Sequence, residues 1–434
     1  MPHVLSPYLA LLKGTTFGRV KPALASVGLG LLIVSPAQAQ HSPQTQVQDV
    51  LNNRCVVCHG CYDAPCQLKL SSPDGWARGA SKQKVYESSR LDDAPMTRLR
   101  IDAKTVPEWR QKGFFPVTGT SEQPSTLVQL LQSGRDNPFK LGAALPDEVE
   151  IGLNRDTSCP APNETADYLK DHQFGGMPYG MAPLPESDYR ILLAWAKAGA
   201  PGAVEPVDLP PDVSAQVVEI EAFFNQTALK SKLVARYIYE HLFLAHLHLE
   251  GDQPDRFFRL IRSRSAPGEP ADEIASRRPF DDPGGLFFYR LVPLNETILH
   301  KQHIVYEIGQ KRLARYTELF LNTDWSLDAL PTYSTAAGGN PLSTFAAIPA
   351  RSRYQFLLDN ALYFVRSFIR GPVCYGQVAV NVIEDRFWVS FLDPDADLSV
   401  TDPDYLPQAT PILELPVAVS DSSISGRMRN FLTL

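Results

Sequence analysis

Arg54-Cys55-Val56-Val57-Cys58-His59-Gly60 is the stretch around which the chain is organised. Two cysteines separated by two residues and followed at once by histidine form the attachment pattern of c-type haem. One helical turn carries both sulfurs to the two vinyl groups of a single porphyrin and sets the imidazole beneath the iron as proximal ligand. The short string is only moderately specific, so its reading depends on whether the chain also supplies export, a second axial ligand and a closing helix.

The next residues carry the rival reading. Cys55, Cys58, Cys61 and Cys66 give C-x2-C-x2-C-x4-C, close to the iron–sulfur run C-x2-C-x2-C-x3-C-P. The last interval is one residue too long, and Pro65 precedes the final cysteine instead of following it. Three uses of the four sulfurs therefore stand open: haem c, a cluster or zinc, or disulfides alone. Under the haem reading Cys61 and Cys66 are candidates for a short-loop disulfide, and Cys159 is an alternative partner for either.

The first 39 residues supply the export expected of a haem c protein. Lys13, Arg19 and Lys21 precede an apolar stretch over 23–34 and then Ala37-Gln38-Ala39, a cleavage site of the A-x-A kind. The apolar run is shorter than the roughly 20 residues of a membrane span. The expectation is a signal peptide over 1–39 and a soluble mature protein in the periplasm. Apolar residues make up 44% and charged residues 21% of the 434-residue chain, the balance of a globular protein with room for two or three domains. The net charge is −7, and removing the three basic residues of the leader leaves −10. An acidic chain of this kind excludes nucleic acid as a partner and lacks the charge to hold anionic lipid by electrostatics alone.

The second ligand is found far downstream. Phe174-Gly175-Gly176-Met177-Pro178 sets a thioether after two glycines, which let the backbone approach a porphyrin, and before a proline that keeps the loop extended. Met177 is the candidate distal ligand, with Met181 and Met96 behind it and core filling as the bland use of any methionine. Tyr189, Leu192, Leu193 and Ala196 then form a helical stripe, with Ser187 as N-cap and Gly199 and Pro201 as stop. The run "GGMP…SDYRILLAWAKAGAP" resembles the closing half of a class I cytochrome c. The predicted architecture is a mainly α cytochrome c-like haem domain over 40–203, with a long insertion between His59 and Met177, a proline-rich acidic linker over 204–213, and an α+β domain over 214–434.

Helices are expected over 42–59, 81–90 and 125–133. Beyond the linker they are expected over 217–249 with a break near Asn225, over 309–321, and over 354–370, the last apolar on nearly every face. That face is either core or a surface touching acyl chains. Strands are expected over 257–261 and 286–291, and 378–391 is apolar without a decided period. On a helix over 217–249, His241 and His248 share a face while His246 does not; His300 and His303 stand three apart. Arg277-Arg278 with Asp281-Asp282 reads as an internal ion-pair cluster or a headgroup site.

Longer blocks carry a resemblance. "RCVVCHGCYDAPCQLKLSS", "GGMPYGM", "ARYIYEHLFLAHLHLEG", "RRPFDDPG", "TILHKQHIVYEIGQKRLARYTELFL", "IPARSRYQFLLDNALYFVRSFIRGPVCYGQ" and "DRFWVSFLDP" make the chain similar, over 52–394, to the bacterial fatty acid cis/trans isomerase family. The resemblance implies a periplasmic enzyme with one covalent haem c that converts cis double bonds of membrane acyl chains to trans, without ATP or nicotinamide, and so lowers membrane fluidity under stress. It implies unsaturated phospholipid acyl chains or free fatty acids as substrate, peripheral contact with the membrane, and a chain truncated at its C-terminus relative to the family. The resemblance implies the haem iron, held by Cys55, Cys58, His59 and Met177, as catalytic; a second candidate, apart from the resemblance, is Cys374 in Gly371-Pro372-Val373-Cys374-Tyr375-Gly376, whose thiyl radical, formed with the haem as oxidant, would add reversibly to the alkene. Cys374 has plainer uses as a small buried hydrophobe or a disulfide partner of Cys159. The competing function is a periplasmic electron-transfer cytochrome, served by a redox partner and fused to a binding domain.

Overall fold

The computed structural model describes residues 43–85, 94–119, 124–140, 142–152, 155, 157–204, 206–299, 303–333, 339–370 and 389–411. Helix α1 (Pro43–Arg54) runs into the short α2 (Val56–His59). Val47, Val50 and Leu51 are buried on the predicted face. The amide of Cys55 donates to Leu51 O at 2.8 Å and that of His59 to Cys55 O at 2.9 Å, so the motif lies on a nearly continuous helical turn. Two short helices follow, α3 (Pro73–Arg78) and α4 (Val106–Gln111), the latter closed by a Thr105/Glu108 capping box. Next come α5 (Thr126–Asp136), capped by the Ser125 hydroxyl, and α6 (Thr165–Asp171). Helix α7 (Glu186–Lys197) buries Tyr189, Leu192 and Ala196 as the stripe requires, but its cap is Pro185 and Ser187 already lies inside the helix. Trp76 and Trp195 meet edge to face at 5.2 Å, each indole donating to the turn after α7, at Ala200 O and Pro201 O.

One short piece departs from expectation. Residues 81–85 form no helix and bend at Lys82 and Val85. The amide of Ser81 donates to Cys66 O, that of Gln83 donates back to the Ser81 hydroxyl, and Gln67 Nε2 donates to Gln83 O. Serine that satisfies a neighbouring amide in this way competes with a helical turn. Residues 86–90 of that expected helix lie outside the described residues.

The second half is a four-stranded sheet covered by helices. Helices α8 (Pro211–Phe224) and α9 (Leu229–Leu242) precede strands β1 (His246–Leu249), β2 (Phe258–Ser263), β3 (Phe288–Pro293) and β4 (Val305–Ile308). The strand order is β3-β2-β1-β4, with β1 antiparallel to β2, β2 antiparallel to β3, and β4 parallel to β1 in the register His246↔Val305 to Leu249↔Ile308. The expected helix over 217–249 thus ends at Leu242. Leu247 and Leu249 are buried on one side of a strand, so His248 shares no helix face with His241, and β4 was not anticipated. The β3 edge is covered by side chains rather than another strand. Asn225 donates to Tyr289 O and accepts from its amide, and Glu221 accepts the amide of Leu291 and the guanidinium of Arg290.

Helix α10 (Gln310–Tyr316) continues as a π-turn over Thr317–Leu321, followed by α11 (Pro341–Thr344), α12 (Ala350–Asp359) and α13 (Ala361–Arg370). The single helix expected over 354–370 breaks at Asn360. Its amide side chain donates to Phe356 O at 2.7 Å and accepts from Tyr306 Oη at 2.8 Å, and Tyr306 bonds Tyr316 at 2.5 Å. These helices and the sheet enclose an aromatic core in which Tyr237, Phe320, Phe345 and Phe356 are almost wholly buried. Arg262 is buried with them, among the rings of Tyr239, Phe287 and Tyr333, its guanidinium donating to Ser276 Oγ and Asp281 O. The Asp281 carboxylate accepts the backbone amides of Arg277 and Arg278, closing the turn over 277–281. Among the described residues no helix is long and apolar enough to cross a membrane.

Candidate functional site

A cavity of about 1260 Å³, its open mouth included, lies in the N-terminal half. One wall is the haem motif, with Cys55, Cys58, His59 and Leu68; the other is built from α5 and the loop between α6 and α7, with Leu130, Leu131, Met177 and Met181. The sequence placed His59 and Met177 more than a hundred residues apart, and the fold brings both to one apolar chamber. Met96 is not among the residues that line it.

His59 is fixed from two directions. Its Nδ1 lies 3.0 Å from Leu68 O, and its own carbonyl accepts the Leu70 amide at 2.8 Å. A carbonyl only accepts, so Nδ1 carries the proton and Nε2 is left with its lone pair. This is how a metal-ligating histidine is ordinarily oriented. Burial lowers the imidazole pKa to about 4, opposed in part by the Leu68 carbonyl, so the ring is neutral at physiological pH. Burial also pushes the Cys55 thiol up to about 12, helped by Cys58 and opposed by Arg54. Neither Cys55 nor Cys58 is in a disulfide.

The methionine loop is seated by backbone contact. The Met177 amide donates to Leu130 O at 2.9 Å. A Cβ built on Gly176 would fall 2.2 Å from the Gly134 nitrogen, and one on Gly134 would fall 2.2 Å from Met177 O. Only glycine at both places lets the loop lie directly on α5. Tyr168, another lining residue, packs against Gly175.

Cys66 is joined to Cys159 across 93 residues, and both line the cavity. Of the two pairings the sequence left open for Cys66, the one with Cys159 is formed and the one with Cys61 is not. Cys61 is itself disulfide-bonded, so a four-cysteine cluster loses two of its ligands. Among the described residues no group of three or more His, Cys, Asp or Glu side chains is arranged to hold a bare metal ion. The donors present are of another kind: two thiols on one turn, an imidazole with its Nε2 available, and a thioether across an apolar chamber. They fit a covalently attached haem. Cys374, His300 and residues 378–388 lie outside the described residues.

The model of the fatty acid cis/trans isomerase family matches residues 94–431. The chain belongs to that family. Its reaction class follows: an isomerase of fatty acids. No curated protein and no solved structure matches. The matched residues include Met177 and the whole sheet but begin after Cys55, Cys58 and His59. Membership therefore rests on the isomerase part and is independent of the haem motif.

Proposed function

We propose that the chain is a periplasmic, haem c-dependent isomerase that converts cis double bonds of unsaturated acyl chains of membrane lipids to trans and so lowers membrane fluidity under stress. Supporting it is one arrangement: the His59 imidazole with Nδ1 bonded to Leu68 O, on the wall of a cavity it shares with Cys55, Cys58 and Met177. In this reading the N-terminal half is a cytochrome c-like haem domain with a long insertion, Cys55 and Cys58 hold the porphyrin, His59 is the proximal ligand, and Met177 or Met181 is the distal one. When bound, the haem would supply a redox-active iron whose reach for electron density can weaken a π bond.

The chain's own residues have the complementary tasks. Leu130, Leu131 and Leu184 give an apolar lining that favours an acyl chain and excludes water. Leu68 keeps the imidazole in one tautomer. Gly134 and Gly176 keep the thioether loop against α5. Contact with the membrane is peripheral, and a redox partner would return the iron to its working state.

Incubating the exported protein with cis-unsaturated phospholipid or free acid and resolving the products by gas chromatography tests the proposal. The wild-type chain yields trans product, and Cys55→Ala/Cys58→Ala loses both the pyridine haemochrome spectrum and that product. Full isomerisation without the haemochrome would reject haem dependence. Cys374→Ala separates the second catalytic candidate: a thiyl radical, formed by one-electron oxidation of the Cys374 thiolate with the haem as oxidant, would add to the alkene and leave again after rotation, so unchanged isomerisation in the variant removes it from the mechanism.

A further inference from the structure

Behind His59, away from the cavity, a polar cluster joins the haem segment to the sheet. Residues 68–70 wrap the histidine, accepting Nδ1–H at Leu68 O and donating the Leu70 amide to the His59 carbonyl. The side chain between these two bonds, Lys69, is buried and pairs with Glu296 on the connection from β3 to β4. Ser71 Oγ donates to Glu296 Oε2 at 2.8 Å, and the Thr297 amide donates to Ser71 O at 3.0 Å. Thr297 Oγ1 donates to Asn52 Oδ1 at 2.7 Å, one turn before Cys55, and Arg100 Nη2 donates to Asn295 O at 2.9 Å. His246 and His303 stack edge to face at 4.3 Å beside the same carboxylate. Burial alone would raise the Glu296 pKa, but Lys69, then Arg100 and His303, bring it down to about 2. The connection at 295–297 thus touches α1, the segment behind His59 and Arg100.

Nothing in cavity formation requires this. The cavity is lined by other residues, and Lys69 could have been an apolar side chain of the same length. Burying an ion pair costs desolvation that packing alone would not incur.

We propose that Glu296, acting through Lys69 and Ser71, is a positioning residue for the proximal side of the site. It holds the 68–71 segment that orients the His59 imidazole, and its charge balances Lys69 behind that ligand. The inference rests on the haem reading and adds a residue from the family-matched part of the chain to the control of a ligand that lies outside it.

The test is a redox titration of the full haem-loaded chain and its variants. Uncompensated positive charge favours the reduced iron, and negative charge the oxidised iron. Glu296→Gln leaves Lys69 without its counter-charge and raises the midpoint. Lys69→Met leaves Glu296 and lowers it. Lys69→Gln/Glu296→Gln returns it between the two. A merely structural pair would shift both single variants the same way. If a single variant does not accumulate, the double variant decides: each single strands a buried charge and the double strands none. A double variant that also fails to accumulate, or whose midpoint lies as far from wild type as that of the larger single change, overturns the proposal. So does a midpoint unmoved by both single variants, or moved by both in one direction. A wild-type chain without a haemochrome spectrum defeats the haem reading itself, whereas a haem-loaded wild type with unresponsive variants defeats this proposal alone.

Discussion

The sheet half and the cavity half use similar apolar side chains to opposite ends. Around Phe356 the aromatic rings of Tyr237, Tyr316, Phe320 and Phe364 lie with centroids within 6 Å, and the phenylalanine itself is wholly buried. Beside His59 the leucines of α1, α5 and α7 pack into one cluster and also line a chamber of about 1260 Å³ with its mouth. A filled core stabilises; an apolar-lined cavity offers a site for an apolar group. The difference lies in what fixes each. The first is held by its own packing, the second by a frame of Trp76–Trp195 contact, the Cys66–Cys159 disulfide, glycine backbone contacts and the buried Lys69–Glu296 pair.

Truncating one side chain in each half separates the two kinds of packing. Phe356→Ala opens a void in a filled core and should cost about 3–5 kcal/mol in urea unfolding. Leu184→Ala, on the half-buried wall of the chamber, makes no new sealed void and should cost about 1 kcal/mol or less. Equal costs would mean that the two halves are packed alike.

Acid tests the frame. Glu296 has its pKa held at about 2 against an ordinary value of 4.5. A depressed acid contributes stability that is present above 4.5 and is lost as pH falls from there to 2. The loss should be about 3 kcal/mol, and Glu296→Gln should flatten the pH dependence of unfolding in that window. An unchanged slope in the variant would remove the pair from the frame. Gly176→Ala puts a new methyl against the Gly134 backbone. It should cost about 1–3 kcal/mol and displace the Met177 loop, which under the proposed haem function reads out as a changed ferric haem spectrum, while leaving near-ultraviolet aromatic signals of the sheet core intact.

What could be read from the sequence was local. Cys55-x-x-Cys58-His59, the glycines before Met177 and the stripe of α7 declare themselves within one or two turns, because each is set by spacing along the chain. The strand β1 was concealed by its position. His246-Leu247-His248-Leu249 follows an apolar helix with no glycine or proline between, and four residues are too few for an alternating pattern to displace a helical one. The Cys66–Cys159 bridge and the Lys69–Glu296 pair depend on the full tertiary fold. Nothing near Lys69 marks it as buried, and nothing near Glu296 marks its partner 227 positions away. The break at Asn360 belongs to the same class, since its side chain is claimed by Tyr306 on another element.

The two walls of the chamber also differ in when they exist. During synthesis the turn bearing Cys55, Cys58 and His59 is complete long before α5, Met177 and the disulfide partner Cys159 emerge. Until then the chamber is a shelf with no opposite side. On the haem function proposed above, attachment at Cys55 and Cys58 needs only this first wall, and Met177 closes the other side from a later part of the chain.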